Sequence, residues 1–79
     1  MRATVIQKKD RSFTVLTLAN AAPQLRSELR GEGIKADETT SVQEGKDCIA
    51  FSFGPKTAIE EIERLLEIVG YQFTTQQIA

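Results

Sequence analysis

Apolar and polar residues alternate over short stretches along most of the chain, while two other stretches place apolar residues at helical spacing. Residues 3 to 7 and 13 to 19 are rich in β-branched and aromatic side chains, and the polar segment between them has the composition of a hairpin loop. The pattern therefore predicts that a β-hairpin opens the protein.

The first helical stretch follows this hairpin directly. Leu25 and Leu29 are four positions apart on one face of a predicted helix over residues 23 to 30. Asn20 is a suitable N-cap, Pro23 fits the first turn, and a nearby glycine can end the helix. We expect a short helix between two strands.

A second hairpin and a second helix follow. Residues 35 to 43 and 48 to 53 are predicted strands, and the turn-forming residues 44 to 47 separate them. Thr57 and Glu60 match a capping box for a helix that runs to Val69, and Gly70 is a ready C-cap. Residues 71 to 75 then alternate as a final strand. The order from residue 13 onwards is strand, helix, strand, strand, helix, strand.

Strand side chains point alternately to the two faces of a sheet, so each strand has two sets to compare. Between residues 48 and 53 the large set contains Phe51 and Phe53, and we expect it to contact the helices. Between residues 13 and 19 both sets are apolar, with Leu16 and Leu18 in one set. Because two helices cover one face of a small sheet, the other face either meets a second copy or is half solvated. The interface that we predict contains Phe13, Val15, Cys48 and Ala50.

The length of 79 residues indicates a single domain, 1 to 79, with a core from about residue 13 to residue 75. A domain of this size is near the lower limit for a self-sufficient core, so burial against a partner is a natural addition. The longest apolar run is too short to span a bilayer, and no signal-type apolar segment follows Met1. The one cysteine, Cys48, fits a reducing compartment. We expect a cytoplasmic protein with no membrane partner.

Charge is distributed unevenly along the chain. Residues 1 to 35 hold seven Lys and Arg against three Asp and Glu, whereas residues 36 to 79 hold three against eight. This asymmetry could bring copies together head to tail or form a weak basic patch, although solvated turns and helix faces are the simpler interpretation. The net charge of −1 and the lack of basic residues among the aromatic ones disfavour nucleic acid as a partner.

Candidate catalytic groups are few. The sequence has no histidine, which removes His-based acid–base chemistry, catalytic triads and His metal sites within one chain. Cys48 lies between an acidic and an apolar residue, so we expect it to pack rather than react, and one thiol cannot form a zinc site. Residues 54 to 57 lack the spacing of a phosphate-binding loop and favour helix initiation. We expect no enzymatic activity, no cofactor and no metal.

The predicted order is that of the ferredoxin-like βαββαβ sandwich, an α+β fold, with the N-terminal strand as an extra member of a hairpin. Residues 13 to 20, 25 to 34, 48 to 53 and 57 to 69, including the Gly33 and Ile34 pair that ends the first helix, resemble an ACT or ACT-like regulatory domain. The resemblance covers about 60 residues. It implies paired domains that bind an effector amino acid between them.

The segment that corresponds to the ligand loop of that family reads Asn20, Ala21, Ala22, Pro23, without the usual glycine. Its β-carbons, and the missing N–H of Pro23, alter how a ligand could approach the main chain. The resemblance therefore implies a regulatory or protein-interaction module that forms a homodimer through its sheet and acts on an unidentified protein partner. One alternative is an amino-acid sensor, with ligand contacts at Asn20, Ala21, Ala22, Pro23, Gln24 and Ile34, and a less favoured one is an RNA-binding ferredoxin-like module.

Overall fold

The computed structural model describes residues 1 to 78, which form five strands and two helices in the predicted order. The domain is a small α+β fold, and its arrangement is compatible with a ferredoxin-like one. Its elements are β1 (Arg2–Gln7), β2 (Phe13–Leu18), α1 (Ala22–Gly31), β3 (Asp37–Gln43), β4 (Lys46–Phe53), α2 (Ile59–Val69) and β5 (Gln72–Gln77).

The five strands form one mixed sheet in the order β3, β4, β2, β1, β5. The predicted hairpins are both confirmed, because β1 pairs antiparallel with β2 and β3 pairs antiparallel with β4. The N-terminal strand lies inside the sheet, where it also pairs in parallel with β5. No charged residue occurs between Ala3 and Gln7, which suits a strand that has neighbours on both sides.

Residues with positive φ shape the two hairpin turns. Gln43 pairs with Lys46, so Glu44 and Gly45 alone form the second turn, with φ of 52° and 76°. Positive φ at both central residues is the geometry of a type I′ turn, whose twist matches that of the strands it joins. In the first hairpin, Arg11 has φ of 70°, and the carboxylate of Asp10 accepts the N–H of Ser12 at 3.0 Å. The Ser12 hydroxyl donates to the same carboxylate, and this side-chain bond is the main cause that lowers the pKa of Asp10, with the N–H bond acting in the same direction.

The helix ends differ in part from the sequence prediction. Neither Asn20 nor Thr57 is an N-cap, because the helices begin after Ala21 and Ala58 without a side-chain capping bond. The N–H of Thr57 instead donates to the carbonyl of Gly54 at 3.2 Å, which forms a separate turn before α2. The predicted cap at Gly70 is confirmed by its φ of 101°.

Both helices cover the same face of the sheet. Arg26 of α1 and Glu38 of β3 form a salt bridge of 2.7 Å, and Thr75 of β5 donates to Glu63 of α2 at 2.7 Å. Strand register places the two strand residues of these contacts in one row on one face. That row contains Glu38, Phe51, Val15, Val5 and Thr75.

The hydrophobic core lies between this row and the helices. Phe13 and Phe53 stack with their ring centroids 4.8 Å apart. They belong to one buried cluster with leucines of both helices and one isoleucine of α2, namely Leu25, Leu29, Ile62, Leu65 and Leu66. The prediction that the large set of β4 contacts the helices is therefore confirmed.

One buried polar contact ties two distant parts of the chain together beside this core. The Tyr71 hydroxyl donates to the Ala21 carbonyl at 2.6 Å and joins the segment between α2 and β5 to the N-cap of α1. Burial raises the pKa of Tyr71, and the nearby hydroxyl of Thr17 acts in the opposite direction. The hydrogen bond from Arg26 holds the pKa of Glu38 below its usual value.

Neither helix of residues 1 to 78 has the length and apolar character needed to cross a membrane.

Candidate functional site

The sheet face away from the helices is the candidate site, and it is called the open face below. Alternation along the three inner strands assigns side chains to it. None of the helices of residues 1 to 78 covers this face. Its members on the inner strands are Arg2, Thr4 and Ile6 of β1, Thr14, Leu16 and Leu18 of β2, and Lys46, Cys48, Ala50 and Ser52 of β4.

An apolar strip crosses the middle of the open face. Leu16 lies opposite Ala50 on one side and Thr4 on the other, while Leu18 lies opposite Cys48. Leu18 is 37% exposed, and Leu16 is half-buried. Cys48 and Ala50 are only 7% and 9% exposed, since their short side chains sit low among longer neighbours. The strip therefore consists of two protruding leucines next to the short, buried side chains of Cys48 and Ala50, which form its floor.

Polar and charged residues surround the apolar strip. The row through Leu16 ends in Thr39 at one edge of the sheet and Thr74 at the other. A groove of about 500 Å³ runs along the strip, and its lining includes Leu16, Leu18, Arg2 and Lys46. Arg2 lies in the row of Leu18, and Glu44 and Lys46 lie at the β3–β4 turn, whereas Leu16 has the uncharged Ala50 and Thr4 as its neighbours.

The thiol of Cys48 belongs to the floor of the strip. It contacts the Lys46 carbonyl at 3.6 Å and has no disulfide partner. Its burial agrees with the packing role that the sequence favoured over a reactive one. Among the described residues, no three His, Cys, Asp or Glu side chains form a group that could hold a metal ion.

Half of the predicted interface lies on the open face and half does not. Cys48 and Ala50 are there, but the placement of Phe13 and Val15 on an uncovered face is wrong. They are 1% and 0% exposed beneath the helices. The reason is register, because Phe13 pairs with Phe53 and Val15 with Phe51, both in the helix-covered set.

Leu16 and Leu18 are the residues that the predicted interface omitted. They form the second apolar set of the same strand, so alternation identified them as a group without assigning their face. The register with β4 assigns their face, because Leu16 and Leu18 pair with Ala50 and Cys48, whereas Phe13 and Val15 pair with the helix-covered phenylalanines.

The predicted ligand residues do not converge within one chain. Residues 20 to 24 lie at the start of α1, whereas Ile34 follows its last turn and donates its N–H to Leu29. A helix of ten residues separates them by about 15 Å. Ala21 and Ala22 are buried, while Asn20, Pro23 and Gln24 are exposed. A sensor site would therefore need a second chain to complete it.

Comparison with known proteins does not assign a family. No protein-family model, no curated protein and no solved structure matches the chain.

Proposed function

We propose that this chain is a non-enzymatic interaction module that forms a homodimer by packing the open face of its sheet against that of a second copy. The single observation that carries the proposal is the uncovered apolar strip of Leu16, Leu18, Cys48 and Ala50. A regulatory role is the finer part of the proposal, and the ACT-like resemblance supports it.

The distribution of polarity on the open face suits a protein interface. Stable interfaces combine an apolar centre with a polar rim. Here the centre contains Leu16 and Leu18, and the rim contains the threonines of the edge strands. Two sheets pack face to face at about 10 Å, a spacing that lets leucines from opposing faces interdigitate. A contact of this kind would bury the largest uncovered apolar side chains of the sheet.

The position of the strip also suits a two-fold arrangement. In a two-fold dimer the same patch of both subunits forms the interface, so the patch must complement itself. Leu16 lies on the middle strand of the five, near any axis that passes through the sheet centre. The exposed charged residues Arg2 and Lys46 lie outside the row of Leu16, on the side of the strip where Leu18 lies.

The non-enzymatic part of the proposal is supported by chemistry rather than by geometry. The sequence contains no histidine and one cysteine, and that cysteine is part of the floor of the strip. Most acid–base and nucleophilic mechanisms need a titratable group poised near neutral pH.

Analytical ultracentrifugation at micromolar concentration tests the dimer. We expect the wild-type chain to sediment as a dimer and Leu16→Lys as a folded monomer, because a lysine in the middle of the strip would bury a charge. Ile68→Lys is the matched control, since it makes the same kind of change at a 65% exposed residue of α2. A monomeric wild type, or a dimer that Ile68→Lys disrupts and Leu16→Lys does not, contradicts the proposal. Circular dichroism establishes that each variant is folded.

A further inference from the structure

The outer edge of β5 is an unpaired strand edge. Among the described residues, β1 is the only neighbour of β5. The N–H groups of Gln72 and Ile78 donate to the carbonyls of Met1 and Gln7 at 2.8 and 2.9 Å. Because backbone groups alternate in direction along a strand, those of Phe73, Thr75 and Gln77 point outward. Three residues therefore present N–H and C=O groups to an incoming strand.

Within residues 1 to 78, this edge carries none of the devices that usually block strand addition. Proteins protect edges with lysine, proline, bulges or a covering segment. The register of β5 with β1 is continuous over six residues, and Gln72–Gln77 contains no charged residue and no proline. The opposite edge strand, β3, begins with two acidic residues, Asp37 and Glu38.

An acidic flank of α2 overhangs the β5 edge. Glu63 reaches β5 directly, because it accepts the hydroxyl of Thr75 at 2.7 Å. Glu60 and Glu67 lie three and four positions away from it, on the same side of the helix, and both are exposed. Neither of them, nor Glu63, forms a salt bridge within residues 1 to 78. Arg64 is about 100° around the helix from Glu63, on the side farther from β5, so the side of α2 nearest the edge carries the acidic residues Glu63 and Glu67.

We propose that the β5 edge binds an extended segment of a partner protein that carries lysine or arginine at alternate positions. Such a segment would add a sixth strand through the outward backbone groups of Phe73, Thr75 and Gln77. It would lie about 4.8 Å beyond β5, with one set of its side chains beneath α2. Lysines in that set reach Glu63 and Glu67, whereas the other set extends the open face.

The same charges argue against a second copy as the occupant of this edge. If β5 paired antiparallel with the β5 of another chain, the two α2 helices would lie side by side. Their acidic flanks would then face each other, and like charges at such a boundary destabilise the pairing. The inference rests on the proposed role as an interaction module. It does not rest on the open-face dimer, because the edge groups point within the plane of the sheet.

Fluorescence anisotropy with a labelled peptide tests the inference. The probe is a peptide of about nine residues that alternates threonine and lysine, long enough to span β5. We expect it to bind at least about tenfold more tightly than the threonine–glutamate peptide of equal length. Methylation of alternate backbone nitrogens on the lysine peptide should weaken binding by about tenfold or more, because it removes donors from the pairing edge.

A matched pair of protein variants locates the peptide. Glu63→Gln keeps an acceptor for Thr75 but removes the charge, so the lysine peptide should bind several-fold more weakly and with a smaller dependence on salt. Glu61→Gln makes the same change on the flank of α2 away from β5 and should leave binding unchanged. Equal affinity for the two peptides, insensitivity to backbone methylation, or no binding at all overturns the inference.

Sedimentation separates this inference from the proposed dimer. Leu16→Lys should be monomeric and should still bind the lysine peptide, since it leaves the β5 edge intact. Thr75→Pro removes one outward N–H of the edge. If wild type self-associates and the Thr75→Pro variant does not, then a second copy occupies the edge and the inference is wrong.

Discussion

The hydroxyl of Thr17 lies on the helix-covered side of β2 and has no hydrogen-bond partner within residues 1 to 78. Thr17 is 2% exposed, so water does not solvate the group. The hydroxyl partly offsets the rise in the pKa of the nearby Tyr71 phenol. That phenol, however, donates its own proton to the Ala21 carbonyl at 2.6 Å. A buried hydroxyl without a partner costs free energy that an apolar group of the same shape does not.

Thr17→Val should therefore stabilise the protein. Valine keeps the branched shape and removes the unpartnered hydroxyl, so we expect the free energy of unfolding to rise by about 1 kcal/mol in urea denaturation. Thr40→Val, at an exposed position of the edge strand β3, is the matched control and should change stability by less than about 0.5 kcal/mol. A loss of stability in Thr17→Val would mean that its hydroxyl does form a hydrogen bond, with Tyr71 as the nearest candidate.

At the scale of the elements, the sequence predicted the type and order of the strands and helices more accurately than the residues at which the helices begin. Every predicted strand and helix exists, because alternation and helical spacing are properties of neighbouring residues. The N-caps at Asn20 and Thr57 were wrong, since a capping residue competes with other local bonds, such as the turn from Gly54 to Thr57. The C-cap at Gly70 was right, because few other residues tolerate its φ of 101°.

Two glycines at helix ends give opposite predictions for the same substitution. Gly70→Ala places a β-carbon at positive φ, with no atom within 4 Å to clash, so strain alone should lower the unfolding free energy by about 1 kcal/mol. Gly31→Ala lies in the last turn of α1, also with no atom within 4 Å, and should raise it by about 0.4 to 1 kcal/mol. Urea denaturation measures both. If both substitutions changed the unfolding free energy by the same amount, the left-handed backbone conformation of Gly70 would not be the reason that glycine is favoured there.

At the scale of the whole molecule, the protein is a two-layer slab with extents of 31 × 29 × 20 Å. One layer contains the two helices, and the other is the sheet, whose open face carries the apolar strip. A domain of 79 residues gains limited stability from a single core, so further burial has a large relative effect. Association and folding should therefore be coupled.

This coupling predicts that thermal stability depends on protein concentration. For the wild-type chain, the melting temperature should rise by several degrees when the concentration increases about a hundredfold, because dimer formation stabilises only the folded state. Leu16→Lys should melt at one temperature throughout this range, and Ile68→Lys should behave like wild type. Calorimetry or circular dichroism at several concentrations measures the effect. A wild-type melting temperature that does not change with concentration contradicts coupled association.

The sequence alone determined the order of the elements, both hairpins and the existence of two apolar sets in β2, because these depend on local spacing and turn residues. Only the tertiary structure decided that Phe13 and Val15 face the helices, that Leu16 and Leu18 face outward, and that β1 lies between β2 and β5. The physical reason is that a strand with two apolar sets fits either face until a neighbour fixes its register. For β2 that neighbour is β4, whose phenylalanines all lie on one side.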